Sequence, residues 1–467
     1  MHDSSPKSTL RTSRETLAPP LRPGLSVDVA VVGAGAAGLG AARDLHQAGY
    51  SVLLLEARHR VGGRVFTLRP PRAALPIELG AEFVHGRADE LTAIAKAADL
   101  PLLEIEGRRV DSSGSRLRPL NDFWERLDTV MRRLPDRRET DRSFAAFLRD
   151  RPGGRTLAAN RRLARHFVEG FHAADVERVS AVGLHEAGSP AGDEREQRLG
   201  RFIDGYDGVI DWLALPIRKR IRTGSPVARI DWHSSRLVRL TTAAGVSLRA
   251  RAVVVTVPVG VLQASAAGKG PLHFDPPLTG KRSALSGLAM GCVTRIVLLF
   301  DEAVWADERF ASRTGIPGDL LTFLQGSATD FPVWWTAYPR RLPLMTGWRG
   351  GPGSAALSGL PAAEVTARAV RSLASQLRVD PVRLKRLVRG SWYHNWNLDP
   401  YAQGAYSYQV VGGLDAVSAL ARPVGGRLFF AGEATDTEGA TGTVHGAISS
   451  GRRAARQVQR ALDRHGV

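Results

Sequence analysis

The chain has 467 residues, long for a single domain, and its 43% hydrophobic content is ample for a sizeable core. One cysteine, Cys292, excludes an internal disulfide and a cysteine-cluster metal site, and no apolar run reaches the roughly eighteen residues of a membrane span. A net charge of +18 would suit a polyanion, but the arginines are scattered through every predicted element, which argues against a nucleic-acid partner.

Residues 1–25 are polar and Pro-rich, carry Arg11 and Arg14, and lack the apolar centre of a signal peptide. They read as a disordered extension, with a cytoplasmic protein as the default expectation. An apolar strand at 27–32 then runs into Gly33-Ala34-Gly35-Ala36-Ala37-Gly38, a Gly-x-Gly-x-x-Gly turn that opens a helix over 36–48. In such a turn Gly33 permits the tight bend, Gly35 lets the backbone approach a pyrophosphate, and Gly38 lets the helix pack on the strand. The helix N-terminus favours negative charge. A second strand at 51–55 ends in Glu56, where a carboxylate accepts ribose hydroxyls and disfavours the 2′-phosphate of NADP.

The next segment turns at Gly62 and Gly63 and presents Arg64 as a counter-charge to the pyrophosphate. Residues 90–200 read largely as amphipathic helices without a parallel-strand rhythm, an inserted second domain. A helix restarts over 205–213, strands return at 227–230, 237–241, 253–257, 294–300 and 333–335, and another helix covers 362–377. The last buried-type strand, 428–430, leads through Gly432, Glu433 and a Gly- and Thr-rich loop into a helix from about Val444, whose first N–H groups can stabilise negative charge.

Four blocks stand in one order: Glu56-Ala57-Arg58 through Gly62-Gly63-Arg64; Glu78-Leu79-Gly80-Ala81-Glu82-Phe83-Val84-His85-Gly86; Gly404-Ala405-Tyr406-Ser407-Tyr408; and Ala431-Gly432-Glu433 with Gly442-Thr443-Val444-His445-Gly446-Ala447. Over about 27–454 this order resembles the flavin-dependent amine oxidases, the family of monoamine oxidases, polyamine oxidases and lysine-specific histone demethylases. The resemblance implies a fold that is α/β plus α+β. A Rossmann-like FAD-binding domain (26–90, 205–285 and 395–467) would be interleaved with a substrate domain of sheet and helices (91–204 and 286–394).

It implies FAD held by Gly33, Gly35, Gly38, Arg58, Gly63, Gly80, Ala81, Gly432 and Val444. Glu56 would meet the adenosine ribose, Arg64 the pyrophosphate, and the Val227 backbone the adenine. Glu433 would sit near the ribityl and phosphate region, or act only as a loop cap. Trp396 matches a tryptophan close to the flavin ring and Tyr406 one wall of an aromatic cage, though either could be a plain core aromatic. His85 matches a histidine lining the substrate channel of several polyamine oxidases; a structural hydrogen bond is the competing role.

Four positions depart from the family pattern. Thr443 takes the place of the second cage tyrosine and opens the cage to a bulkier amine. Ala405 replaces the cysteine that bonds flavin in monoamine oxidases, so FAD should be non-covalent. Phe83 stands where amino-acid oxidases carry a carboxylate-binding arginine, which favours amines over amino acids; Glu82 beside it could attract a cation or be an exposed loop carboxylate. Arg295 replaces a lysine associated with the reaction of reduced flavin with oxygen, and arginine there is bulkier and permanently protonated.

The resemblance thus implies oxidation of a polyamine or other extended amine to imine and then aldehyde, with O2 reduced to H2O2. Arg295, Tyr406, Thr443 and His85 would act at the reacting centre, with no metal. The partners would be a small amine and O2, the protein a monomer or homodimer off the membrane. No heptad insertion of the demethylase kind is evident. Two alternatives stay open: a flavin dehydrogenase or desaturase with a non-oxygen acceptor, and a non-catalytic flavoprotein with a basic binding surface.

Overall fold

The computed structural model describes residues 21–464 except 72, 74, 189–196, 235 and 328. The extension expected at 1–25 lies outside these apart from its last five residues. Strand β1 (Ser26–Val32) sits between two parallel neighbours, β2 (Val52–Leu55) and the long strand Ser247–Val255. The long strand is shared: Ser247 to Ala250 pair antiparallel with Val238–Thr242, while Val253 to Val255 pair parallel with Leu428–Phe430. Four parallel strands therefore end on one edge, where an open α/β sheet binds ligands.

Both faces of these strands are covered, which is why they read as unbroken apolar runs. On one side helix α1 (Ala36–Gln47), Asp207–Ala214 and the C-terminal helix Val444–Arg464 close a core that includes Leu39, Leu45, Val209, Ile448 and Val458. A Cβ at Gly451 would lie 2.2 Å from the Ala37 carbonyl, so the C-terminal helix lies directly on α1.

A second sheet of seven strands has the order Val388–Tyr393, Val293–Phe300, Leu344–Gly350, Val333–Thr336, Leu321–Gln325, Arg108–Asp111, Arg118–Pro119. Helix Ala362–Leu377 packs on it through Val365, Ala369 and Leu373, against Ile296, Leu298 and Trp334. The expectation of largely amphipathic helices without a parallel-strand rhythm over 90–200 is corrected in part here. Leu102–Glu104 and Leu199–Phe202 pair with each other, and Arg108–Asp111 runs parallel to Leu321–Gln325. Its sequence Arg-Arg-Val-Asp buries only Val110, so no alternation of apolar residues announces a strand. Among the described residues no helix is long and apolar enough to cross a membrane.

Candidate active site

The glycine turn is built as its spacing predicts. Gly33 has φ +106°, and the Thr256 hydroxyl donates to the Val32 and Gly33 carbonyls at 2.9 and 3.0 Å, locking the turn to the end of the neighbouring strand. A Cβ on Gly38 would lie 1.9 Å from the Gly33 carbonyl oxygen, whereas one on Gly35 would meet nothing within 4 Å. Gly38 is a packing glycine, and Gly35 opens onto free space. Gly35 caps α1 without a side chain, and no acid occupies the first turn, so its first N–H groups remain available to an anion.

Glu56 is buried at the tip of β2, where its carboxylate accepts the Ala34 N–H at 2.7 Å and the Arg58 N–H at 2.9 Å. Arg58 pairs with Asp399 at 2.5 Å and lies 5.4 Å from the Tyr401 ring. Arg64 donates to Glu433 at 2.9 Å and to the Ala405 carbonyl at 2.6 Å, so its charge already has a protein partner. Glu433 also accepts from Ser407 Oγ at 2.8 Å and from the Gly442 N–H at 3.2 Å. It joins three other segments to its own and is more than a cap. Gly432, with φ +133°, donates its N–H to Ser450 Oγ at 2.9 Å.

Thr443 caps the C-terminal helix: its Oγ1 accepts the Gly446 N–H at 3.0 Å and its carbonyl the Ala447 N–H at 3.1 Å. Among the described residues this leaves the Val444 and His445 N–H groups without a protein acceptor. Trp396 donates to the Leu79 carbonyl at 2.7 Å, and Ala81 N–H to the Arg64 carbonyl at 3.1 Å.

Gly33, Gly35, Glu56, Arg58, Arg64, Ala81, Trp396, Gly432, Glu433, Thr443 and Val444 line one cavity of about 1170 Å³, with Gly63, Gly80 and Val227 also on its walls. Gly38, whose role is to bring helix and turn together, does not line it. The cavity runs from the glycine turn to an aromatic chamber of Phe83, Phe171, Phe323, Trp335, Trp348 and Tyr406. The length, the open Gly35, the free N–H groups at the two helix starts and the buried Glu56 fit a flavin dinucleotide laid along the parallel-strand edge. A flavin held there would supply a two-electron acceptor; the protein's own residues supply position, dryness and charge.

In the chamber the Tyr406 phenol donates to the Phe171 carbonyl at 2.5 Å, and burial, with the Glu433 carboxylate, holds its pKa above the usual value. The His85 ring meets Phe171 edge-on at 5.1 Å and Phe83 at 6.0 Å. That ring forms no hydrogen bond among the described residues. Arg295, 3% exposed, donates to the Gly80 carbonyl at 2.6 Å and is hydrogen-bonded to Glu82. Glu82 also pairs with Arg201 at 2.8 Å and accepts the Trp335 indole N–H at 3.0 Å. Glu82 is neither a free lure for cations nor an exposed carboxylate; it is the buried counter-ion of two guanidiniums. Sequence reading missed Thr256, Asp399, Arg201, Phe171 and His172. Only Thr256 carried a local signal, at the end of an apolar strand.

Burial pulls His85, with help from the nearby His445 and Arg109 charges, and His172, by burial alone, from 6.5 down to about 4. Both stay neutral near pH 7, so neither ring adds a charge to the chamber. Between pH 6.5 and 4 the unfolded chain binds more protons than the folded one. The stability these groups contribute is therefore complete above 6.5 and is lost as pH falls through about 4. The loss should be on the order of 2–3 kcal/mol per histidine. Urea unfolding at pH 7.5 and 4.5 should show it, and the His85→Phe, His172→Phe double variant should flatten the pH dependence; an unchanged slope would refute the assignment.

Comparison with known proteins supports this reading. The family model "Flavin containing amine oxidoreductase" matches residues 36–459. Polyamine oxidase 3 of Oryza sativa subsp. japonica is 30% identical over 93% of this chain and 90% of that protein. Polyamine oxidase 2 of Arabidopsis thaliana is 28% identical over 94% and 90%. Lysine-specific histone demethylase 2 of Homo sapiens is 27% identical over 92% of this chain but only 53% of its own length. A solved structure of putrescine oxidase bound to putrescine, 22% identical, superposes with a TM-score of 0.78 over 94% of this chain and all of that one, a likeness of fold. With the family model spanning most of the chain and one relative at 30% identity over nearly all of it, the protein belongs to the flavin-containing amine oxidoreductases.

Proposed function

We propose that this FAD-dependent amine oxidase acts on an extended amine, with O2 as acceptor and FAD held without a covalent bond. The observation that carries the reading is the single cavity joining the open Gly35 backbone to the aromatic chamber of Tyr406, His85 and Phe171. The likeness to polyamine oxidases supports an extended substrate, as does Thr443 in place of a second cage aromatic.

The chain's own residues do the following. Burial in the aromatic chamber disfavours the ammonium, so the amine reacts neutral, its lone pair free to expel hydride from the adjacent carbon. Tyr406, fixed to the Phe171 carbonyl, walls the site and orients that carbon. The carbon–hydrogen bond breaks as hydride, for which the flavin would be the acceptor, carbon–nitrogen becomes an imine, and water releases aldehyde and the free amine. Arg295 keeps a positive charge near the flavin locus. Ala405 offers no nucleophile to bond the cofactor. The stretches 26–90, 205–285 and 395–467 form the FAD-binding domain, and 91–204 with 286–394 the substrate domain. A cytoplasmic enzyme, monomeric or homodimeric and without a nucleic-acid partner, fits this reading.

The acceptor is tested by steady-state turnover with a reactive amine, following peroxide in air against reduction of an artificial dye in its absence. Stoichiometric aldehyde and peroxide are expected. Dye reduction many-fold faster than oxygen consumption would remove O2 as acceptor and direct attention to Arg295.

A further inference from the structure

Arg109 lies on Arg108–Asp111, near the edge of the seven-stranded sheet, opposite Phe323 on the neighbouring strand. Strand alternation turns Val110 into the core and leaves Arg109 and Asp111 on the cavity side, where both line the chamber. The guanidinium is wedged among aromatic rings, 4.4 Å from the centre of Phe323, 4.9 Å from Phe123 and 5.4 Å from Trp124. Among the described residues its side chain makes no hydrogen bond and no ion pair. Asp111, two residues along, accepts the Ser113 N–H at 2.9 Å instead. By contrast, the two buried guanidiniums beside the chamber are paired: Arg295 and Arg201 share Glu82.

With rings around it and no acceptor among the described residues, the guanidinium keeps its N–H donors free, and a guanidinium can receive a carboxylate bidentately. Burial pulls Arg109 from 12.5 to about 10 with no carboxylate to offset it, so it stays a cation without a counter-charge. Such a group is costly until an anion arrives. A run of aromatic contacts joins Arg109 to the other end of the chamber: Arg295 lies 5.5 Å from the Trp335 ring, Trp335 6.2 Å from Phe323, and Phe323 4.4 Å from the Arg109 guanidinium. Rings thus stand between the two guanidiniums, which suits a substrate whose carboxylate is remote from its amine.

We propose that Arg109 is a specificity-determining residue that binds a carboxylate at the far end of the substrate, making the preferred substrate class an ω-amino carboxylate or a longer amine ending in one. The proposal rests on the amine-oxidase reading above. It places the amine at the Tyr406 end and the anion against the Phe123, Trp124 and Phe323 platform. A diamine would instead bring a second cation to Arg109.

The test is anaerobic titration of the FAD-loaded enzyme with unbranched ω-amino carboxylates of graded length, the matching n-alkylamines and the matching diamines, reading flavin absorbance. The wild type should bind its best-length amino carboxylate at least about ten-fold tighter than the matching alkylamine. Arg109→Met should weaken that carboxylate about 10- to 100-fold while moving the alkylamine less than about three-fold. Arg109→Lys should keep part of the preference, and it decides the matter if the methionine variant does not hold flavin. Diamines or alkylamines binding tighter than amino carboxylates at every length, or a preference that survives loss of the guanidinium, would overturn the proposal. Reduction of the flavin by no amine at all would overturn the amine-oxidase reading instead.

Discussion

Replacing Glu82 with leucine is expected to destabilise the protein by about 3–5 kcal/mol, because it strands two buried guanidiniums at once. Arg295 and Arg201 are 3% and 7% exposed, both are paired with Glu82, and Trp335 adds an indole N–H to the same carboxylate. Burial already holds Arg201 below its ordinary value, with the Glu82 charge opposing that shift, so the cation depends on its acid. Equilibrium urea unfolding of the flavin-free protein would read the loss. Glu302→Leu is the control: it removes a pair with Arg383 in which both side chains are more than half exposed, and should cost at most about 1 kcal/mol. Equal effects of the two substitutions would show that the cluster is not a buried charge network.

The two later glycines of the turn should separate cofactor binding from folding. Gly35→Leu places its side chain where nothing lies within 4 Å, so the fold should stand while the added bulk fills the space a pyrophosphate approaches; FAD affinity should fall at least about 100-fold. Gly38→Ala puts a methyl 1.9 Å from the Gly33 carbonyl and 2.9 Å from Thr256 Oγ1, contacts that backbone cannot relieve cheaply. That variant should lose stability with or without FAD. Flavin retention on purification, read beside the melting temperature, distinguishes them. A Gly35→Leu protein that keeps its flavin would place the cofactor elsewhere.

The nucleotide half was legible because its signals are local. An apolar strand, three glycines at fixed spacing and an acid at the tip of the next strand all lie within 26–56, and the strand, the turn and the helix form where the spacing implies. The substrate half was less so. Arg108–Asp111 pairs with a strand more than two hundred residues away and buries one side chain, so no window of sequence contains its reason for being a strand. Glu82 and Arg295 are likewise 213 residues apart, and neither residue's surroundings announce that the other neutralises it. Thr443 is the opposite case. A threonine three residues before a glycine N–H at a helix start is a readable cap, a role that the family resemblance, which implies a cage position, does not announce.

One cavity should bring an amine to a flavin held at the glycine turn, and anaerobic titration of the purified, flavin-loaded protein with a panel of primary and secondary amines tests this most directly. The visible absorbance of the oxidised flavin is the readout. Full bleaching by at least one extended amine, with the corresponding aldehyde recovered after quenching, is the predicted result. A flavin that remains oxidised through the whole panel would contradict it.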